Sequence, residues 1–516
     1  MQANIGFSLT RSSRKYGPKI AIIYRGKRIT YEQLNTRVNR LANALMANSV
    51  RKGMKVALIF DNSNEFVESI YAIFKIGGVV VPINTRLNSG EMYNLIDHSD
   101  SSTLIFDKSF LEQVESIRQK SQKVNLYIIV DDKPRSGFLN YESMLEQGSS
   151  SEPKGVKVEE PDKACIIYTA GTTGQPKGVL LTHRNFLWLS VNYCIGRMTS
   201  FEDVSMYIFP LFHVGGLTTL SSHIFIGGTA LLKEKYDLLD CLETIQKEGI
   251  NRWSAIPSIY ANIVNLPDIH NYNLNSITKL SSGAAPMPME VKKRLAEIFP
   301  NADIFDGYGQ TESTGAITQL SPKDAFRKPG SVGLPYPTNE IRVVDDRNQD
   351  LAIGEVGELV YDGPTRMKCY YKDPETTKNA VEGGWMRSGD LAKVDEEGYV
   401  YLVGRKKDMI ITGGENVYSR EVEETIAKLP QVAEVAVIGL PDPKWGEAVT
   451  AVVVVKAGTE LSEREVIRFC KGQIAGFKSP KKVIFTESLP KNSVGKVLKS
   501  ELKKLYNTWK QASTIT

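Results

Sequence analysis

"YTAGTTGQPKGV", Tyr168 to Val179, decides how this chain is read. It follows the apolar run Cys165-Ile166-Ile167, a buried strand end. Its glycines and threonines cannot continue that strand, because glycine favours turns and leaves backbone N–H groups open. The pattern predicts a loop. Such a loop cradles phosphate oxygens with main-chain donors and threonine hydroxyls, while Lys177 adds a mobile positive charge. It differs from the commoner nucleotide loop, G-x-x-x-x-G-K-[ST], since Gly174 is followed by Gln175-Pro176-Lys177-Gly178. One Gly/Thr-rich segment taken alone is more often an ordinary surface loop, so the rest of the chain has to decide.

At 516 residues the chain is too long for a single core and predicts at least two domains. A net charge of +5 is small for that length and implies no nucleic-acid partner. The five cysteines (Cys165, Cys194, Cys241, Cys369, Cys470) form no C-x-x-C pair. That spacing argues against a disulfide framework and a zinc site, and it fits a reducing, cytoplasmic setting. The start, MQANIGFSLTRSSRKYG, lacks the apolar core of a signal peptide. The stretch 204–232 carries no Asp, Glu, Lys or Arg, but Pro210, His213 and two Gly-Gly pairs interrupt it. A spanning helix wants about 20 predominantly apolar residues, so no transmembrane segment is expected. The stretch reads instead as buried strands and a pocket wall.

Thr30 with Gln33 forms a capping-box pattern, and Leu34, Val38, Leu41 and Leu45 then fall on one helical face. KVALIF (55–60), a helical stretch from Asn64, and GGVVVPIN (77–84) give the order strand, helix, strand, which implies a parallel α/β sheet. Similar alternation recurs to about residue 400. The Gly/Ser/Glu/Pro-rich stretch near 147–155 reads as a loop. After GRKKDMIITGGEN (404–416) the texture changes to a compact α+β unit. It has an amphipathic helix carrying Val422, Ile426 and Leu429, strands EVAVIGL and AVTAVVVV, and a helix capped by Ser462 with Glu465. The expected fold is α/β: a large N-terminal domain of parallel-rich sheets sandwiched by helices (1–404), a hinge or linker (405–414), and a small mobile α+β domain (415–516). The lysine-rich end, Lys478 to Lys510, has few aromatics and reads as a solvated basic face. Peripheral contact of that face with anionic lipid stays open, as does the oligomeric state.

Four further segments carry unusual residue choices: PLFHVGG (210–216), GYGQTE (307–312), RSGDL (387–391) with GRKKD (404–408), and PKNSVGK (490–496). Together with YTAGTTGQPKGV, in this order, they resemble the acyl-adenylate-forming superfamily of acyl-CoA synthetases, peptide-synthetase adenylation domains and luciferases. The resemblance runs from the Thr30-Tyr31 helix to Lys496. It implies an enzyme that joins a carboxylic acid to CoA, with ATP and Mg²⁺. A carboxylate is anionic and has no good leaving group. Attack on the α-phosphate of ATP supplies AMP as one, and a thiol then displaces it. Both steps move negative charge, so catalysis rests on positioning, cations and hydrogen-bond donors.

The resemblance also assigns roles. Thr169, Ala170, Gly171, Thr172, Thr173, Gly174 and Lys177 hold the departing β- and γ-phosphates. Tyr308 stacks on adenine, with Asp306, Gly307, Gly309 and the Gly283-Ala284-Ala285 backbone beside it. Thr311 donates to the α-phosphate, and Glu312 with Thr169 contacts Mg²⁺, which prefers such oxygen ligands. Asp390 binds the ribose hydroxyls with Arg405 nearby, and Lys407 is the hinge residue. Lys496 bridges carboxylate and α-phosphate, His213 gates the acyl pocket, and Gly413-Gly414 belongs to the pantetheine tunnel. Singly, a Tyr308 is more often core, a Glu312 or Asp390 a solvated or capping carboxylate, a Lys496 a surface lysine. The joint pattern overturns those priors. Ala170 departs from the serine usual there but keeps its backbone N–H.

Within the superfamily FHVGG, SSGAAPMP and GGENVYSREVEE look most like fatty-acyl-CoA synthetases. The expected acid is a hydrophobic monocarboxylate, a medium- or long-chain fatty acid. Small residues at the presumed pocket (Gly215, Gly216, Ala284, Ala285, Gly307, Gly309) also leave room for a flat ring. Aryl acids of the cinnamate, benzoate or succinylbenzoate type are therefore the alternative, together with loading of a separate acyl-carrier protein. An amino-acid adenylation domain fits less well, since PLFHVGG offers no carboxylate to an α-ammonium. A non-catalytic nucleotide-binding regulator conflicts with intact Glu312, Asp390 and Lys496.

Overall fold

The structure is a computed structural model that describes residues 4–169, 176–491 and 497–512. The chain divides into two compact units, Met1–Ile341 with Tyr361–Met386, and Arg342–Val360 with Arg387–Thr516.

The first unit carries two large sheets. One runs, edge to edge, through Leu334–Pro335, Thr318–Leu320, Asp303–Tyr308, Lys279–Ser282, Arg252–Ala255, Val204–Tyr207, Thr229–Leu232, Ile20–Tyr24 and Lys27–Thr30. Its interior pairs are parallel and its edge pairs antiparallel. The other is built on Lys163–Thr169, Val79–Pro82, Lys55–Ile59, Ser101–Asp107 and Leu126–Val130, again parallel. Parallel strands need helical crossovers, and these cover the sheets with apolar faces. One core joins Ile22 and Ala230 of the first sheet and Val56 and Val80 of the second to Leu34, Leu41 and Ile70 of two helices.

Local sequence explains those helices. Thr30 accepts from Gln33 N and the Gln33 side chain accepts from Thr30 N, so the capping box opens Tyr31–Ala47 as its pattern predicts. Ser63 caps Asn64–Lys75 through Phe66 N. One expectation needs correction. The stretch 204–232 is a strand, a helix and a strand: Val204–Tyr207, Val214–Ile226 and Thr229–Leu232. The paired glycines do not break that helix. A Cβ on Gly216 would lie 2.4 Å from the Pro210 carbonyl, so the glycine lets the first helical turn close onto the chain entering it.

The second unit holds the strand Val400–Arg405 and, from Arg387 on, the strand Trp385–Val394, paired antiparallel with Asp390 opposite Arg405. It also holds a sheet of Glu415–Val417, Ile410–Thr412, Gly446–Val455, Val432–Asp442 and Lys482–Phe485. The helices Ser419–Ile426 and Glu463–Gln473 pack on it around Val422, Ile426, Val437, Val449, Val466 and Cys470. The Ser462–Glu465 capping box is present. Among the described residues no helix is long and apolar enough to cross a membrane.

Candidate active site

The two described ends of the opening stretch lie in paired strands. The strand Lys163–Thr169 is paired antiparallel with Lys177–Thr182, and Thr169 is opposite Lys177. The residues Ala170, Gly171, Thr172, Thr173 and Gly174 lie outside the described residues. Their two anchors are thus held face to face by the ladder.

A third strand braces this pair. Cys369–Tyr370 pairs with it, Tyr370 opposite Val179. The Lys177 ammonium lies 5.3 Å from the centre of the Tyr370 ring. The Tyr370 hydroxyl donates to Glu312 Oε1 at 2.9 Å, and the Met367 amide donates to the Glu312 carbonyl at 2.7 Å. One tyrosine therefore joins the expected phosphate lysine to the expected metal carboxylate. Tyr370 carries no motif, and sequence reading passed over it. The second carboxylate oxygen of Glu312 has no hydrogen-bond partner among the described residues. A single half-buried carboxylate with a free oxygen suits Mg²⁺, which binds through one or two carboxylates plus phosphate oxygens. When bound, the ion would neutralise phosphate charge, and Glu312 with Thr169 would hold it.

Glu312 follows Thr311, which opens a short 3-10 helix, Thr311–Ser313, and is buried. The preceding strand, Asp303–Tyr308, ends in residues that leave space. A Cβ on Gly309 would lie 2.4 Å from the Gly315 carbonyl carbon, and one on Gly283 would lie 3.2 Å from the Gly307 carbonyl oxygen. Ala284 stands at φ +67°, a left-handed backbone that costs an alanine of order 1 kcal/mol or more and is concentrated at ligand sites. Tyr308 is half-buried against the core, and its hydroxyl accepts from Gln310 Nε2 at 3.4 Å. Asp306 is buried, 3.5 Å from the Lys292 ammonium. In a strand its side chain takes the face opposite Gly307.

His213 caps the helix Val214–Ile226 without a side-chain cap bond. Its ring makes no hydrogen bond among the described residues. Burial, with Arg86 adding to it, pushes the imidazole down to about 4, so it is neutral at pH 7.

Arg197 also escaped sequence reading. It ends the helix His183–Gly196, beneath Gly307: a Cβ there would lie 3.1 Å from Arg197 Nη2. Its Nε donates to Gln319 Oε1 and the Tyr336 hydroxyl, both at 3.0 Å, and the Tyr193 ring lies 3.9 Å from its guanidinium.

In the second unit Arg405 Nε donates to Asp390 Oδ1 at 2.6 Å across the ladder. Lys406 is tied to Glu358 at 3.2 Å and Asp346 at 2.7 Å. Lys407 is exposed in the 3-10 turn Lys406–Asp408 and has no ion pair among the described residues. Gly413 and Gly414 have φ +61° and +84° between Ile410–Thr412 and Glu415–Val417, as a two-residue hairpin turn requires. The Gly413 amide donates to the Trp445 carbonyl at 2.7 Å. Lys496 lies outside the described residues; its flanks, Lys491 and Val497, are bridged antiparallel.

Comparison with known proteins matches residues 9–371 to the family described as AMP-binding enzyme and residues 421–496 to the AMP-binding enzyme C-terminal domain. The long-chain-fatty-acid–CoA ligase FadD13 of Mycobacterium tuberculosis is 36% identical over 484 residues, 93% of each chain. An indoleacetate–CoA ligase of Aromatoleum aromaticum is 34% identical, covering 94% of this chain and 95% of its own. The crystal structure of ATP-bound MatB from Rhodopseudomonas palustris superposes with a TM-score of 0.90 at 31% identity, over 98% of this chain and 99% of that one.

Proposed function

The chain belongs to the AMP-binding enzyme family and is an AMP-forming acid–CoA ligase that uses ATP, Mg²⁺ and CoA, and from that premise we propose that its acid is a hydrophobic monocarboxylate, foremost a medium- or long-chain fatty acid. The observation that carries the site assignment is the Lys177–Tyr370–Glu312 cluster at the paired strands that flank the Gly/Thr stretch. A lysine and a carboxylate with one oxygen unbonded among the described residues, joined by one tyrosine, support the reading, since a polyphosphate with its metal needs such a pair.

In this reading the acid's carboxylate oxygen attacks the α-phosphorus and the α–β bond breaks, releasing pyrophosphate. Lys177 and the loop donors take up its charge, Thr311 donates to the α-phosphate, Tyr308 stacks on adenine, and Asp390 binds the ribose. Lys496 bridges the two reacting anions. The thiolate of CoA then attacks the acyl carbon and AMP leaves. Neutral His213 stands at the acyl end, where a charged imidazole would disfavour an apolar tail. Gly413-Gly414 lies along the pantetheine, and 405–414 is the hinge, with untied Lys407 absorbing the turn. A cytoplasmic setting, which supplies both ATP and CoA, fits this reading.

An aryl acid is the second reading, favoured by the 34% identity to an indoleacetate–CoA ligase over nearly the whole chain. Acid-dependent exchange of labelled pyrophosphate into ATP, run across alkyl and aryl acids, separates the two. Lys496→Ala should cut that exchange by about 10² or more, the scale for one positioned electrostatic donor, while sparing thioester formation from pre-made acyl-adenylate. Equal loss of both half-reactions would remove Lys496 from its role.

A further inference from the structure

Arg197 puts a cation beside Gly307, one of the small residues expected at the acid pocket. It ends the helix His183–Gly196, and its guanidinium is half-shielded from solvent. The Tyr193 ring covers one face at 3.9 Å. Gln319 Oε1 and the Tyr336 hydroxyl, themselves 2.5 Å apart, share its Nε proton at 3.0 Å each. That uses one of five donors. Nη1 and Nη2 make no hydrogen bond, and the guanidinium forms no ion pair, among the described residues. The carboxylate of Asp306, 3.5 Å from the Lys292 ammonium, acts on the guanidinium through space, with the Tyr193 and Tyr336 hydroxyls, and helps to keep it charged.

One of the two amino groups abuts a glycine. Nη2 lies 3.1 Å from where a Gly307 Cβ would be, so only a glycine leaves that side uncovered. The Tyr193 hydroxyl lies 3.8 Å, and the Val214 side chain 3.6 Å, from the corresponding position at Gly315. Tyr193 thus links the guanidinium to the first turn after His213. Desolvating a guanidinium costs free energy unless its donors find acceptors, and a planar fork with two free amino groups matches a carboxylate bidentately.

We infer that Arg197 is a specificity-determining residue: the acid this site selects has a hydrophobic body whose end remote from the activated carboxylate carries an oxygen acceptor, a second carboxylate being the strongest. The inference rests on the acid–CoA ligase reading and narrows its substrate class. It applies equally to an alkyl and an aryl body.

The test uses two matched pairs, decanoate against decanedioate and cinnamate against 4-carboxycinnamate, with pyrophosphate–ATP exchange as readout. For each pair the quantity read is the ratio of kcat/KM for the dicarboxylate to that for the monocarboxylate. In the wild type this ratio exceeds one in at least one pair. Arg197→Met lowers it by about 10- to 100-fold, the scale of hydrogen bonds to a charged group. Arg197→Lys, which keeps the charge and loses the fork, falls between the two. A merely structural arginine would lower both members of a pair alike and leave the ratio unmoved, and that result overturns the inference. So does a wild type that prefers the monocarboxylate in both pairs, a measurement needing no variant. Exchange confined to monocarboxylates leaves the ligase reading standing, whereas exchange with no acid at all brings down both.

Discussion

Arg252 and Arg197 lie one hydrogen bond apart, the Nη2 of the first donating to the carbonyl of the second at 2.6 Å, yet the chain treats the two guanidiniums differently. Arg252 is 1% exposed on its strand, and its Nε meets Asp203 at 2.8 Å. Lys279 meets the other oxygen of Asp203 at 2.7 Å. Burial alone would push the Asp203 carboxyl up, but Arg252 and its other partners hold it below the usual carboxylate range. Arg197 has two neutral acceptors on one nitrogen, an aromatic face, and open donors beside a glycine. A buried charge answered inside the protein is scaffold. A charge whose donors are left unanswered beside a glycine is available to a ligand. His183 represents a third solution. Both ring nitrogens are buried without a hydrogen-bond partner among the described residues, and burial pushes the imidazole down to about 3, so it stays neutral.

The largest expected effect breaks the answered pair. Arg252→Leu leaves Asp203 buried with the Lys279 ammonium and the Ser200 donors but without its guanidinium, and removing one partner of a buried ion pair costs about 3–5 kcal/mol. Arg197→Met removes one shared hydrogen bond to neutral groups, about 1 kcal/mol. Urea unfolding of the two variants reads the contrast directly. Equal losses of stability would mean that Arg197 is scaffold as well, and the distinction between the two arginines would fall.

The same distinction separates what the sequence discloses from what it hides. Thr30 with Gln33 and Ser462 with Glu465 are legible, because a cap and its reciprocal partner lie three residues apart and their chemistry is local. The two strands that flank the Gly/Thr stretch are legible for a similar reason: they are near neighbours in the chain. The helix Val214–Ile226 was hidden behind Gly215-Gly216 and a run of Thr and Ser. What makes it a helix is the close approach of Gly216 to Pro210, a tertiary fact. Tyr370 reaches Glu312 across 58 residues and Arg197 reaches Gln319 across 122. No periodicity spans such separations, and in a strand or at a helix end both residues look like ordinary surface punctuation. Only the fold shows which of their polar atoms are answered.

A buried group that avoids the problem by staying neutral should show itself when acid is added. Unfolded His183 takes a proton below about pH 6.5, while the folded ring resists until about pH 3. The unfolded state therefore binds more protons across that window. Stability is full above pH 6.5 and declines as pH falls, by up to about 1.4 kcal/mol per pH unit for this one residue. His183→Leu keeps an apolar body against Phe74 and removes two unpartnered nitrogens, so it should cost little at pH 7 and flatten the slope. Urea midpoints at pH 7.0, 6.0 and 5.0 measure it. A slope identical in wild type and variant would show that His183 is protonated in the fold or exposed to water.

Tyr370→Phe gives the smallest effect and sharpens the comparison most, because Tyr370 links an unanswered cation to a half-answered carboxylate. Phenylalanine keeps the ring 5.3 Å from the Lys177 ammonium and deletes only the hydroxyl on Glu312 Oε1. If that hydroxyl merely filled a hydrogen-bonding vacancy, water would replace it and metal dependence would not move. If it orients the carboxylate so that the free oxygen faces the metal, the Mg²⁺ concentration giving half-maximal pyrophosphate exchange should rise about three- to tenfold, within the range of one charge-assisted bond. The rate at saturating Mg²⁺ should change less, since the carboxylate itself remains. Glu312→Gln sets the upper limit: without the charge, excess metal cannot restore the rate. A Tyr370→Phe enzyme with the wild-type Mg²⁺ profile would make Tyr370 packing for the paired strands and leave Glu312 positioned by its own 3-10 turn and the Met367 amide.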